Sequence, residues 1–326
     1  MPVIQASTYN KPKILFNRHF ETIIPGLLRR VKNISEYKRE RITTPDNDFL
    51  DLDWIKNGTK RLVIISHGLE GDSQRPYIKG MAKAFSNEQW DVLAWNFRGC
   101  SGEKNKKKIF YHSGATYDLQ SVVSHAVNEK YEEIILIGFS LGGNLTLKYL
   151  GEHESKNIEQ IKGAVAFSVP LDLAGCSNEI DLPHNFLYSR RFLKSLKNKV
   201  NDKKEDLGEL YDEKKVHALN SIYDFDDQIT APVHGFKDAH HYYQSCSSRN
   251  FISSIKIKTL VVNAQNDPFL SASCLDKSLF ENLNTVYFET PKQGGHVGFS
   301  SYNEAGVYWS EKRALKFVKE ELENHD

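Results

Sequence analysis

Residues 134 to 150 read IILIGFSLGGNLTLKYL, and they set a serine between two glycines just where an apolar run gives way to a helix-like pattern. Gly138, Phe139, Ser140, Leu141 and Gly142 form a G-x-S-x-G pattern. A sharp strand-to-helix turn brings the backbone close to neighbouring strands. Small residues at 138 and 142 then remove Cβ atoms that would collide, and the hydroxyl at 140 is carried above the sheet. The chemistry this offers is attack by a serine oxygen. The plainer reading is a helix start capped by a serine. Phosphate binding fits worse, because GFSLGGN lacks the Gly-Lys-Ser/Thr end of a P-loop and the G-x-G-x-x-G spacing of a dinucleotide site.

A serine is a poor nucleophile until an imidazole takes its proton and a carboxylate orients the imidazole and balances its charge. QGGHVGFSS places His296 in a glycine-rich loop after the run NTVYFE, and VVNAQNDPFL places Asp267 just past another strand. Ser, Asp, His is the chain order of the α/β-hydrolase arrangement. Asn266 is the neighbouring decoy, since an amide carries no charge to set against an imidazolium, and Asp226 and Asp227 read as structural. The Leu141 N–H, in the first turn of the helix, has no intrahelical partner and is free to stabilise an oxyanion. VIISHGLEGDS offers the Leu69 N–H as a second donor and leaves His67 a structural role. His67, His112, His240 and His241 match no compact ligand spacing, so neither a metal nor a cofactor is expected.

These residues need a scaffold that gathers strand ends. The runs FLDLDWI, RLVIISHG, WDVLAWNFRG, EIILIGFS, KGAVAFSVP, IKTLVVNAQND and NTVYFETP are short, apolar and closed by turn residues. Between several of them lie helix-length segments. In DLQSVVSHAVNEKY, Leu119, Val122, Val123, Ala126 and Val127 share a stripe, with Asp118 at the expected N-cap. This alternation predicts an α/β fold with a mostly parallel central sheet flanked by helices. The first forty-odd residues, including RRVKNISEYKRERITT, read as a surface wrap that precedes the sheet. From about 171 to 254 the sequence turns polar, aromatic and helical, which predicts a cap-like insertion within a single domain spanning 1–326.

The 326 residues carry 42 acidic and 43 basic side chains, a formal charge of +1 that argues against nucleic acid as a partner. The scattered Cys100, Cys176, Cys246 and Cys274 suggest neither a disulfide framework nor a zinc module. No run reaches the roughly 18 apolar residues of a spanning helix, and the first twenty residues lack a signal-peptide core. A cytoplasmic location is expected, peripheral membrane contact is left open though nothing indicates it, and nothing specifies an oligomeric state.

SHGLEGDS, NFRGCSGE, YHSGATYDLQSVV, LIGFSLGGNLTLKYLGE, FDDQITAPVHGFKDAHHYY, NAQNDPFL and GGHVGF together resemble the YheT-like branch of the α/β-hydrolase superfamily, related to the ABHD1/ABHD2/ABHD3-like lipid hydrolases. The resemblance runs from FETIIPGL to GGHVGFSS. It implies an α/β-hydrolase fold, a Ser140, Asp267, His296 triad and an oxyanion hole at Leu69 and Leu141. The family's acidic pair before Pro-Phe stands here as Asn266 and Asp267, and the carboxylate role goes to Asp267. The membrane-spanning N-terminus of the eukaryotic relatives has no match, so their location is not carried over.

The expected activity is hydrolysis of a small-molecule ester or lipid through an acyl-enzyme. Alternatives are a phospholipase or acylglycerol lipase, a thioesterase, a peptidase, or a catalytically silent interaction protein. Phe186, Leu187, Tyr188, Phe192, Leu193 and Leu196, with Phe225, Phe236, Tyr242 and Tyr243, suggest an acyl pocket under residues 171 to 254. Arg190, Arg191, Lys194 and Lys197 on the same segment offer attraction for an acidic head group, with a solvated face as the plainer reading.

Overall fold

In the computed structural model, residues 2–152, 159–303 and 305–323 are described. Nine strands form one sheet: β1 (Val3–Ile4), β2 (Lys38–Thr43), β3 (Phe49–Ile55), β4 (Arg61–Ser66), β5 (Asp91–Asn96), β6 (Glu133–Phe139), β7 (Ile161–Phe167), β8 (Lys258–Val262) and β9 (Val286–Glu289). Their order is β1-β9-β8-β7-β6-β4-β5-β3-β2. Only the β2–β3 and β3–β5 pairings are antiparallel. Successive residues of the central strands are buried on opposite faces. Val63, Ile65, Ile135 and Ile137 pack with Phe85 and Phe317 on one side, and Leu62, Ile64, Ile134 and Leu136 pack with Leu119, Val122 and Leu145 on the other. Both faces are therefore covered by helices, which is why these strands read as unbroken apolar runs.

Three expectations need correction. The sheet does not wait for the first forty-odd residues to pass, because Val3 and Ile4 pair in parallel with Phe288 and Glu289 at its far edge. KRERIT, expected in a surface wrap, is the opposite edge strand. Its Arg39 and Arg41 pair with Asp53 and Asp51 across β3 at 2.8 and 2.7 Å, so charges that look solvated in sequence are partnered across strands. Asp118 does not cap its helix, which runs Thr116–Asn128 with Ala115 at the N-cap. It accepts instead from the buried Arg98, at 2.8 Å from Nε and 2.7 Å from Nη2. A buried guanidinium needs carboxylate partners more than a helix end needs its cap. Asp46 and Asp48 complete its shell at 2.7 and 3.0 Å.

Between β7 and β8 the chain passes through a set of helices, among them Leu173–Ile180, Phe186–Asp202, Glu213–Ala218 and Ala239–Cys246. They hold a small core of their own, with Val200, Val216, Phe225 and Ile229 at its centre. Ahead of β2, helix Arg18–Leu28 is capped by Asn17, whose side chain accepts from the His19 and Phe20 amides.

Candidate active site

Strand β6 ends at Phe139, and helix Leu141–Glu152 begins two residues later. Ser140, between them, has φ +53°, a left-handed conformation that costs a non-glycine residue roughly 1–3 kcal/mol. Its N–H donates to Phe167 O on β7 at 2.9 Å, and its carbonyl accepts from Gly143 and Asn144 in the first helical turn. The two flanking glycines are sterically required. A Cβ at Gly138 would stand 2.4 Å from Gly142 O, and one at Gly142 would stand 2.4 Å from His67 O. Both obstacles are backbone, which has no rotamer in which to retreat.

The Ser140 hydroxyl lies 2.9 Å from His296 Nε2. On the other side of the ring, Nδ1 stands 2.9 and 3.1 Å from the two Asp267 carboxylate oxygens. The Asp267 side chain has no solvent exposure, and Phe269 N–H donates to it at 2.9 Å. A buried carboxylate accepting at Nδ1 fixes the proton there and leaves the Nε2 lone pair facing the serine. The Phe269 ring, with its centroid 4.4 Å from the imidazole, closes off one side of the ring. Asp226 and Asp227 do not reach His296. Asp226 takes hydrogen bonds from Thr230 and Tyr243, and Asp227 takes the Ala239 N–H.

The loop that carries His296 is held by residues outside the expected site. Glu21 and Thr22, on helix Arg18–Leu28, accept the Gly294 N–H at 2.7 Å and the His296 N–H at 2.9 Å. Asn266 accepts the Gly295 N–H at 3.1 Å and donates to Glu21 at 3.1 Å. Asn266, the expected decoy, thus ties the loop of Asp267, the loop of His296 and the N-terminal helix together. Asn17, followed by apolar residues at 20, 23, 24, 27 and 28, was a legible helix signal. The inward role of Glu21 had no local signature.

After β4, His67 is fully buried and neutral. Its Nδ1–H donates to Gly68 O at 2.8 Å, its Nε2 accepts the Phe97 N–H at 3.1 Å, and burial pushes its pKa down to about 3. The ring fixes the shape of the loop. Gly68 comes so close to the turn at Ser140 that a Cβ there would lie 3.1 Å from Ser140 Cβ. Leu69 and Leu141 line the same cavity as Ser140, and among the described residues neither amide N–H has an acceptor. This cavity, of about 380 Å³, is walled by Tyr188, Phe192, Phe225 and Tyr243 of the insertion and by Ile23 and Leu27 of the N-terminal helix. Asp226 also faces it, and burial raises its pKa to about 6. Among the described residues, no group of three or more His, Cys, Asp or Glu side chains is arranged to hold a metal ion.

Residues 61–301 match the family model for the alpha/beta hydrolase fold. YheT of Escherichia coli is 34% identical, covering 87% of this chain and 84% of that protein. The mouse phospholipase ABHD3 is 29% identical, covering 81% of this chain and 66% of its own length. Among solved structures, the Pyrococcus furiosus esterase Pf2001 aligns with a TM-score of 0.58 at 20% identity, over 88% of this chain and 91% of that one, a likeness of fold.

Proposed function

The chain belongs to the YheT-like branch of the α/β-hydrolase esterases and lipases, and from that premise we propose that it cleaves carboxylic esters through an acyl-enzyme formed on Ser140. The observation that carries this reading is the unbroken line of contacts from Asp267 through His296 to Ser140. As Ser140 Oγ attacks the ester carbonyl carbon, its proton passes to His296 Nε2, and the carbonyl electron pair moves onto oxygen. The Leu69 and Leu141 N–H groups receive that oxyanion, in a site already shaped for charge that appears only during reaction.

Collapse of the tetrahedral adduct breaks the bond to the alkoxy oxygen, and His296 returns its proton to the leaving alcohol. Water then gives a proton to Nε2 as its oxygen attacks the acyl carbon. The second collapse frees the carboxylic acid and restores the serine hydroxyl. Asp267 remains ionised throughout, holding the tautomer and balancing the imidazolium. A thioester would pass through the same steps, with a thiol as the leaving group.

The test is hydrolysis of a short activated ester together with labelling by a fluorophosphonate. Ser140→Ala should lose the label and several orders of magnitude in kcat while keeping its fold. Undiminished turnover in that variant would remove the assignment.

A further inference from the structure

Helix Arg18–Leu28 is amphipathic in the unusual sense. Its polar Glu21 and Thr22 point inward to the histidine loop, and its apolar stripe points to solvent. Phe20, Ile23, Leu27 and Leu28 are all exposed, Leu27 by 65% and Leu28 by 72%, and Ile14 and Phe16 extend the surface just before the helix. Across the cavity mouth, the start of the insertion adds exposed Leu182, Phe186 and Leu187; the last two, expected in the acyl pocket, turn to solvent and do not line the cavity. The two sides touch, with His19 Nδ1 3.3 Å from the Tyr188 hydroxyl and the two rings stacked at 5.8 Å. Nine of the thirteen large apolar side chains exposed among the described residues therefore lie on these two segments. Ile23 and Leu27 line the cavity from one bank, and Tyr188 and Arg191 line it from the other.

A patch of this extent marks a surface that is covered in use. Its fringe says by what. Lys13, Arg30, Arg190, Arg191 and Lys194 are exposed around it, and among the described residues none has a carboxylate partner within salt-bridge distance. A symmetric second copy would set this basic fringe against itself. An anionic bilayer accepts both features, taking the apolar side chains to the level of the acyl chains and the cations among its headgroups. No helix among the described residues is long and apolar enough to cross a membrane, so contact would be from one side.

We propose that the outward stripe of helix Arg18–Leu28 and the facing Leu182–Leu187 bank form a docking surface for anionic phospholipid membranes, seating the cavity mouth on the bilayer. Resting on the ester-hydrolase reading, this surface would deliver lipid esters to Ser140 without passage through water.

The experiment uses the Ser140→Ala chain, so that vesicles are not consumed. Sedimentation with vesicles of phosphatidylcholine alone, or of phosphatidylcholine mixed with phosphatidylglycerol, should show binding at least about tenfold tighter to the anionic set. Phe16→Asp, Leu28→Asp and Leu187→Asp should each weaken it severalfold, and Arg30→Glu with Arg190→Glu should abolish the preference. None of these five residues lines the cavity, so the same substitutions in the chain with Ser140 intact should leave turnover of a water-soluble ester unchanged. Absence of binding, or equal binding to both vesicle sets, overturns the proposal. So does a dimer in solution that Leu28→Asp dissociates, which would assign the face to a second copy. Vesicle binding by a chain that hydrolyses no ester would sink the hydrolase reading and leave the surface standing.

Discussion

The Glu21 carboxylate accepts the Gly294 N–H at 2.7 Å across 273 positions of sequence. Through this bond, and the neighbouring one from the His296 N–H to Thr22, the N-terminal helix fixes the height of the imidazole over Ser140. Glu21→Ala removes the acceptor and leaves buried donors unpaired. Since small displacements of a reacting group are costly, kcat should fall roughly tenfold to a hundredfold, with KM nearly unchanged. A positioning role further predicts that the pH dependence of kcat/KM moves in this variant. An unaltered kcat would show that the His296 loop holds itself.

Asp267 and Asn266 are adjacent and do different work. Asp267→Asn keeps the shape but removes the charge facing Nδ1 and favours the wrong tautomer, so turnover should drop by about 10⁴. Asn266→Ala loosens the brace to Gly295 and Glu21 and should cost far less. Single-turnover rates of the two variants, measured side by side, check the order, and a reversed order would move the acid role away from Asp267.

The cavity walls are largely apolar, so kcat/KM should rise from acetyl esters to longer acyl chains. Each methylene buried against Tyr188, Phe192 or Phe225 contributes about 0.8 kcal/mol, close to fourfold. A series of esters sharing one alcohol, with thioesters and phospholipids of matched acyl groups, measures it. A sharp preference for acetyl would contradict a long acyl site without touching the roles given to Ser140 and His296.

Stability should fall on acidification. Burial pushes His67 and His234 down to about 3 and moves His112 in the same direction. Each is neutral in the fold, so unfolding takes up protons below about 6.5, and stability present above that value is lost as pH falls toward 3. Asp226 acts oppositely. Raised to about 6, it contributes stability below its ordinary value of 3.8 that is lost as pH rises through 6. Asp118 and Glu311, also raised by burial, act with Asp226 and offset part of the imidazole slope, and the imidazoles set its sign near pH 6. Urea midpoints from pH 7.5 down to 4.5 measure it, and a flat series would show that these rings are hydrated.

The sequence determined whatever rests on local pattern. Unbroken apolar runs specify strands covered on both faces. The glycines at 138 and 142 specify a turn that admits no Cβ, and the order of Ser140, Asp267 and His296 puts each beyond a strand end. Tertiary structure decided what depends on partners far apart in the chain. Val3 and Ile4 become a strand only because β9 offers them an edge, and Arg39 and Arg41 become interior to a pairing only because Asp53 and Asp51 face them. The spacing of Phe20, Ile23, Leu27 and Leu28 fixes that a helix has an apolar side. Which way that side faces was settled by Glu21 and Thr22, whose acceptors are taken by amides of the His296 loop. Periodicity is a property of neighbours along the chain, and coverage is a property of neighbours in space.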